Sequence, residues 1–325
     1  MKQKIILIGN PTAGSGALRS IERAEKIIKD RGLDVELMLT EKKGDAEIFA
    51  KRIGLEFEGQ SSELNNKDLK LKTLASASRP RRQNSKLLII AAGGDGTFNE
   101  VINGIAYTDV PLAILPFGTT NVLAKELNIP ENNIEDALDI ALSNRIRNVS
   151  LGKITFVEDG SSEIQTRYFC LMAGIGYDGE VVYGITSKIK RFSGRGAYVW
   201  SGLTTLMKWN PEKLTFDIGG RVYEGYSAII CNASRYAGNF RIAPDADISS
   251  PYLNVFIMHG KKRLDVIKYI YGIMTKRHLK FADVSYLQAE QIQIKGNANI
   301  QTDGDYLGKT PAIIEIVPSA LRMVY

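Results

Sequence analysis

Two cysteines and two histidines in 325 residues leave little room for chemistry built on those side chains. Cys170 and Cys231 sit inside apolar, strand-like runs. They have neither metal-ligand spacing nor a disulfide framework, and they read as buried free thiols of a reducing compartment. His259 and His278 have no partner at ligand or triad spacing, which removes metal-hydrolase and Ser-His-Asp readings. No apolar run approaches a membrane span, and the run after Lys2-Gln3-Lys4 is too short to read as a signal peptide. A cytoplasmic protein is expected. The familiar nucleotide motifs are also missing. There is no Gly-x-x-x-x-Gly-Lys-Ser/Thr, Gly14-Ser15-Gly16 meets Arg19 where a dinucleotide fingerprint wants its third glycine, and neither His-Arg-Asp nor Asp-Phe-Gly occurs.

What is present is ordinary globular composition, 44% apolar and 24% charged, in a chain long enough for two domains. The net charge of +6 is concentrated: residues 61–86 hold seven basic and two acidic residues, a net of +5. The rest is nearly neutral, which argues against a nucleic-acid partner, whose basic footprint would spread over the folded surface. The Ser/Asn/Lys/Arg-rich segment 59–86 reads as a solvated insertion, or alternatively as a short basic amphipathic element touching anionic lipid. The cationic run Lys188, Lys190, Arg191 and Arg195 invites the same pair of readings.

Hydrophobic periodicity predicts a strand at 4–8, a helix from Ala17 to Arg31, a strand from Asp34 to Thr40 and a helix opened by Asp45 as N-cap. Buried strands follow at 87–90 and 111–115, then an amphipathic helix from Asn133 to Leu142. Strand–helix alternation with short loops means a parallel sheet with helices on both faces. From Asn148 strands dominate, at 149–157, 164–173, 213–218, 221–232, 252–258, 284–295, 298–302 and 312–317. Helices near 178–189, 197–209 and 263–274 interrupt them, and Asp159-Gly160 and Gly219-Gly220 read as hairpin turns. The expected fold is an α/β first domain with a parallel sheet, residues 1–145, followed by a β-rich, sandwich-like second domain, 146–325.

The chemistry gathers at Gly93-Gly94-Asp95-Gly96-Thr97-Phe98-Asn99-Glu100, between a buried strand and a helix. A positive-φ turn explains one or two glycines, but hardly all of these. Glycines let backbone N–H groups approach a ligand, and at a helix N-terminus such groups bind phosphate. Together with Asn10-Pro11-Thr12-Ala13-Gly14 and Pro116-Phe117-Gly118-Thr119-Thr120-Asn121, in this order and spacing, the loop resembles the signature set of the diacylglycerol kinase catalytic family. That family includes bacterial lipid kinases and sphingosine kinases, and the resemblance runs over nearly the whole chain. It implies a diacylglycerol kinase/NAD kinase-like fold, ATP arriving with Mg²⁺, and transfer of the γ-phosphate to a lipid hydroxyl at the inner face of a membrane.

The resemblance also implies roles. Asn10, Thr40, Gly93, Gly94, Asp95, Gly96, Thr97, Asn99, Glu100, Gly118 and Thr119 would line the nucleotide site. Asp303, in Thr302-Asp303-Gly304-Asp305, would be the catalytic base, although the bare sequence there is a hairpin turn. Asp305 stands where the family has glutamate. Asp95 is the alternative base or magnesium ligand, Glu100 an answer to its helix dipole, and Asp178 of Gly174-Ile175-Gly176-Tyr177-Asp178 a helix N-cap. Many bacterial members hold a structural magnesium between the domains. Here Ser150 and Ser249-Ser250 occupy the matching acidic positions, with Asp247 nearby, so none is expected. The rival readings are an NAD kinase-like enzyme and a silent nucleotide- or lipid-binding protein. Neither the lipid nor the oligomeric state, a homodimer included, is written in these motifs. The tail after Pro318 is expected to return to the first domain, on the resemblance alone.

Overall fold

The computed structural model describes residues 3–58, 87–157, 163–188, 195–236, 238 and 240–325. The insertion 59–86 and the Asp159-Gly160 turn lie outside the described residues, as do Lys190, Arg191 and the side chains of Lys188 and Arg195.

The first domain is wound as β1 (Lys4–Gly9), α1 (Ala17–Asp30), β2 (Asp34–Leu39), α2 (Asp45–Phe57), β3 (Leu87–Gly93), α3 (Asp95–Ile105), β4 (Pro111–Pro116), α4 (Val122–Glu126) and α5 (Ile134–Ala141). β2, β1, β3 and β4 lie in that order, all parallel. Ile5, Leu7 and Ile8 of β1 and Ile89 to Ala92 of β3 are wholly buried, because α1 pairs with α5 and α2 with α3 to cover the sheet. Asp45 is not the N-cap of α2. Gly44 takes that position, and Asp45 turns back to accept from the N–H groups of Glu41 and Lys42.

The second domain runs β5 (Ile146–Val157), β6 (Ile164–Phe169), β7 (Met172–Ile175), α6 (Tyr177–Lys188), α7 (Arg195–Lys208), β8 (Leu214–Ile218), β9 (Arg221–Gly225), β10 (Ser227–Cys231), β11 (Arg235–Tyr236) and β12 (Phe240–Arg241). It continues with β13 (Leu253–Met258), α8 (Arg263–Met274), β14 (Val284–Ala289), β15 (Gln291–Lys295), β16 (Asn299–Thr302), β17 (Asp305–Lys309) and β18 (Ala312–Val324). One layer of the sandwich holds β5, β6, β8, β9, β15 and β18; the other is ordered β14-β13-β10-β7-β16-β17. Phe156, Phe169, Phe216, Ile175, Ile230 and Ile257 fill the space between them.

Three runs read as single strands are each two. Residues 164–173 divide at Cys170-Leu171, 221–232 at Tyr226 and 284–295 at Glu290, because at each point the chain crosses from one sheet to the other. The run stays apolar through the first corner, so periodicity gives no sign of it. The crossing at 170–171 has a consequence for the site: it takes backbone N–H groups out of the ladders and leaves them available to a side chain.

β18 ties the domains together. Its first half pairs with β15 and β5, and its last residues lie parallel to β4, with Arg322 opposite Pro111 and Met323 opposite Leu112. A register shift between Val317 and Leu321, across Pro318 and the positive-φ Ser319, bends the strand where the parallel strands and the sandwich layer join in one ten-stranded sheet. Leu321 and Met323 are wholly buried in the first domain's core. Leu321→Ala is therefore expected to lower unfolding free energy by about 2–5 kcal/mol, read from chemical denaturation. A loss under about 1 kcal/mol would mean that the tail is dispensable.

Candidate active site

The glycines of the loop are not there for unusual dihedrals: none of Gly93, Gly94, Gly96 or Gly118 has positive φ. They are there for proximity. A Cβ on Gly118 would stand 2.5 Å from the Gly94 Cα, and one on Gly93 would strike the Thr97 hydroxyl at 2.5 Å. A Cβ on Gly14 would strike the Phe117 carbonyl, also at 2.5 Å. The three signature segments thus interlock at the C-terminal ends of β1, β3 and β4, the edge where open α/β sheets take ligands. Gly96, by contrast, faces open space at the first turn of α3, where backbone N–H groups have no intrahelical acceptor.

Polar side chains fix this edge. Asn10 donates to the Thr97 hydroxyl at 3.2 Å, while its Oδ1 accepts from the Thr12 N–H and hydroxyl. Asn121, in the left-handed region at φ 48°, accepts from the Gly118 N–H and donates to the Gly118 carbonyl and to Glu131. Asp95 spends both oxygens on the Val122 and Leu123 N–H groups, each at 3.0 Å. It therefore clamps the Gly118–Asn121 turn to the glycine loop, with an acceptor lone pair still left on each oxygen. Burial pushes its carboxyl above the usual range. Glu100 accepts from the Gly44 N–H at 2.9 Å and so bonds the start of α2. Thr40 is buried at the end of β2, its N–H on the Gly9 carbonyl, and Thr119 is exposed on the turn.

Asn99 leads out of the first domain. Its amide donates to Asp303 Oδ2 at 2.9 Å and to the Tyr168 carbonyl. Asp303 and Gly304, both with positive φ (48° and 91°), form a two-residue hairpin turn between β16 and β17. The Asp303 carboxylate folds back over the corner between β6 and β7. Oδ1 accepts from the Leu171 and Met172 N–H groups at 3.0 and 2.9 Å, and Oδ2 from Cys170 at 2.8 Å. Burial pushes the carboxyl up to about 6 against the pull of these donors. The nest of three N–H groups could not be read from the sequence, since Cys170 to Met172 lie within one apolar run.

A second buried carboxylate supports the turn. Asp178 is not an N-cap: α6 begins at Tyr177, and the carboxylate accepts from the Tyr236 hydroxyl and the Gln301 amide. Gln301 in turn accepts from the Gly304 N–H at 2.8 Å. Gly174 makes room for this, because a Cβ there would lie 2.0 Å from Asp178 Oδ2. Around the same seam Lys43 pairs with Asp305 at 2.6 Å, Arg167 with Glu47 at 2.8 Å, and Glu126 accepts from the Ser234 N–H and hydroxyl.

The stretches matched to a family magnesium site do meet: the Ser150 N–H donates to the Ile248 carbonyl. Among the described residues the donor set there is neutral, with Ser150 Oγ and Asn232 Oδ1 buried and without a hydrogen-bond partner. Asp247 is exposed and its Oδ1 is taken by the Ser249 N–H and hydroxyl. Among the described residues no group of three or more His, Cys, Asp or Glu is placed to hold a metal ion. These residues do not fit a divalent cation, which needs carboxylate charge.

The chain and its fold have counterparts among known proteins. Residues 4–154 match the model of the diacylglycerol kinase catalytic domain, and residues 172–325 that of the YegS C-terminal NAD kinase beta sandwich-like domain. A diacylglycerol kinase of Staphylococcus aureus (strain JH9) is 30% identical over 321 residues, 96% of this chain and 89% of that one. A diacylglycerol kinase of Bacillus subtilis (strain 168) is 29% identical over 230 residues, 69% and 73% of the two chains. Among solved structures, that of a diacylglycerol kinase from Bacillus anthracis str. Sterne superposes with a TM-score of 0.63 at 21% identity, covering 99% and 97%. Yeast NADH kinase complexed with NADH superposes with a TM-score of 0.52 at 11% identity, covering 100% and 84%. At these identities the structures speak for the fold alone.

The geometry gives Asp95 a structural duty that is present without nucleotide. Asp95→Ala is expected to destabilise the protein by about 1–3 kcal/mol in thermal melts without ATP. An unchanged melt would return Asp95 to a purely catalytic role.

Proposed function

Because the chain belongs to the diacylglycerol kinase family, we propose that it is an ATP-dependent lipid kinase, and that Asp303 takes the proton from the acceptor hydroxyl. The observation that supports this is carried by one helix. The first turn of α3 bears the glycine loop, and one turn further on Asn99 holds Asp303. A helical turn rises about 5.4 Å, so a phosphoryl group at the loop and a hydroxyl at Asp303 lie within reach of one transfer.

On this reading Mg·ATP is a substrate that lies along the edge made by Asn10, Thr40, Gly93, Gly94, Gly96, Thr97, Gly118 and Thr119. Asp95 keeps that edge in shape, and Glu100 holds the loop before α2. The carboxylate of Asp303 is saturated by four donors in this conformation. Three are backbone groups of the same domain; the fourth, the Asn99 amide, belongs to the other. The acceptor hydroxyl displaces Asn99 from Oδ2, donates to the carboxylate, and loses its proton as its oxygen bonds to the γ-phosphorus and ADP leaves. The remaining N–H groups hold the carboxyl in place throughout. Asp178, through Gln301, is a positioning residue for this turn. The enzyme works from the cytoplasm on lipid at the inner face of a membrane.

Purified protein with radiolabelled ATP and mixed micelles of diacylglycerol, phosphatidylglycerol, a sphingoid base or ceramide, with NAD as a further acceptor, tests the reading. Label is expected in a lipid; label in NAD alone would favour the NAD kinase-like alternative, and none in any acceptor a silent binding protein. Asp303→Asn is expected to lower kcat by at least about a hundredfold with ATP affinity kept. Near-normal turnover would remove the base from this position.

We also propose that magnesium reaches the protein only with the nucleotide. Thermal melts with and without magnesium, in the absence of ATP, should superimpose. A saturable stabilisation at micromolar magnesium, lost in Asp247→Ala, would place a structural ion between the domains.

A further inference from the structure

Two helices of the second domain leave apolar side chains standing in water. On α8, Leu264, Ile267, Ile270, Tyr271 and Met274 are between 42% and 74% exposed. Helical spacing gathers these five into an arc of about 120°. Val266, Tyr269 and Gly272 occupy the opposite, buried side, so the helix is apolar nearly all round yet only half covered. On α7, Trp200, Leu203 and Met207 recur at i, i+3 and i+7, all at least 53% exposed. α7 lies against α8, and the exposed Phe240 of β12 adjoins it. The first domain shows the ordinary alternative: α1 turns Arg19, Glu22, Arg23, Lys26 and Lys29 outward. A continuous apolar face of this kind marks a surface that meets something.

The charge around it names the chemistry. Lys261, Lys262 and Arg263 before α8, and Lys276, Arg277 and Lys280 after it, are exposed, as is Lys208 at the end of α7. Within 261–280 the one acidic residue is Asp265, which is committed to the Lys262 N–H at the helix start. An apolar centre with a cationic rim complements an anionic bilayer, whose acyl boundary takes the first and whose phosphates take the second. It suits a second copy of the chain poorly, because a two-fold axis would bring like charges together and lysine is depleted at protein interfaces.

The face is also connected to the site. α6 packs on β16 and β17, whose turn carries Asp303; α7 packs on α6, and α8 on α7. The Tyr177 hydroxyl donates to the Gly202 carbonyl at 2.9 Å and the Ser201 hydroxyl to the Val181 carbonyl at 2.6 Å, fixing α7 to α6. One helical layer thus runs from the acceptor side of the cleft to the exposed patch.

We propose that the α7–α8 face seats the protein on an anionic bilayer, with Trp200, Leu203, Met207, Ile267, Tyr271 and Met274 entering the headgroup–acyl boundary. The choice of a bilayer as occupant rests on the lipid-kinase reading. It uses none of the residues of the basic insertion 59–86 or of the Lys188–Arg195 run.

The chain supplies its own probe. Of its two tryptophans, Trp200 is 63% exposed and Trp209 is buried. Full-length protein is mixed with vesicles of phosphatidylcholine, with and without phosphatidylglycerol. Trp200 emission is expected to shift to the blue and to be quenched by brominated acyl chains on the phosphatidylglycerol vesicles, and binding to weaken with salt. The variant Ile267→Gln/Tyr271→Gln/Met274→Gln should bind these vesicles at least about tenfold more weakly, with an unchanged melting temperature and unchanged turnover of a soluble short-chain diacylglycerol. Lys276→Glu/Arg277→Glu, at two exposed positions, should lose the preference for phosphatidylglycerol. The proposal is overturned if wild type shows no vesicle binding or no Trp200 response, if both variants bind like wild type, or if the patch drives dimerisation instead. Patch-dependent vesicle binding without phosphorylation of any lipid would sink the kinase reading and leave the docking surface standing. Lipid phosphorylation with patch-independent binding would do the reverse.

Discussion

The seating of one carboxylate organises the cleft. Asp303 accepts from four N–H donors at 2.8–3.0 Å, three from the corner at 170–172 and one from Asn99 across the seam. Each donor favours the charged form, while burial favours the neutral one and brings the carboxyl to about 6. Such a balance is possible only because the chain crosses between sheets at Cys170-Leu171, freeing backbone N–H groups that a strand would have consumed. It also needs a turn with two left-handed residues, which Asp303-Gly304 supplies.

The two halves of the cleft are held in alignment first by a shared strand. β18 is shared between the parallel sheet and the sandwich, so its bend at Pro318-Ser319 sets how the domains meet. Within the first domain, the contact of Gly94 with Gly118 and the Asp95 clamp on α4 form one rigid edge from three separated motifs. Polar bonds at the seam, among them Lys43–Asp305 and Glu126–Ser234, close the gap around Asp303. Of the four donors to Asp303, only Asn99 lies on the far side of the cleft, which makes it the bond that an arriving acceptor replaces.

Much of the fold was legible because its signals are local. Apolar runs ending in Gly-Asn or Gly-Gly marked strands whose ends bind ligands, and alternation with helical spacing fixed the parallel sheet. What stayed hidden depends on contacts distant in sequence. Cys170 to Met172 read as strand interior because nothing in side-chain pattern reveals where a backbone leaves its ladder. The clamp made by Asp95 is of this kind: its oxygens accept from N–H groups 27 and 28 residues away. Asp45 and Asp178 both read as N-caps and both turn elsewhere, since a carboxylate near a helix start can satisfy a preceding loop or a neighbouring strand equally well. The exposed face of α8 was invisible for a related reason: Val266 and Ile267 look alike in sequence, and only packing decides which of them meets water.

The account stands or falls on Asp303 as the proton acceptor. Its carboxyl, raised to about 6, is protonated and inert as a base below that pH and becomes competent as pH rises through it. A single-turnover measurement of phosphoryl transfer across pH tests this directly. The account predicts a rate that climbs through about pH 6 in the wild type, and an Asp303→Asn protein whose low residual rate lacks that limb. A wild-type rate flat through this range, or a limb that survives the substitution, would contradict it.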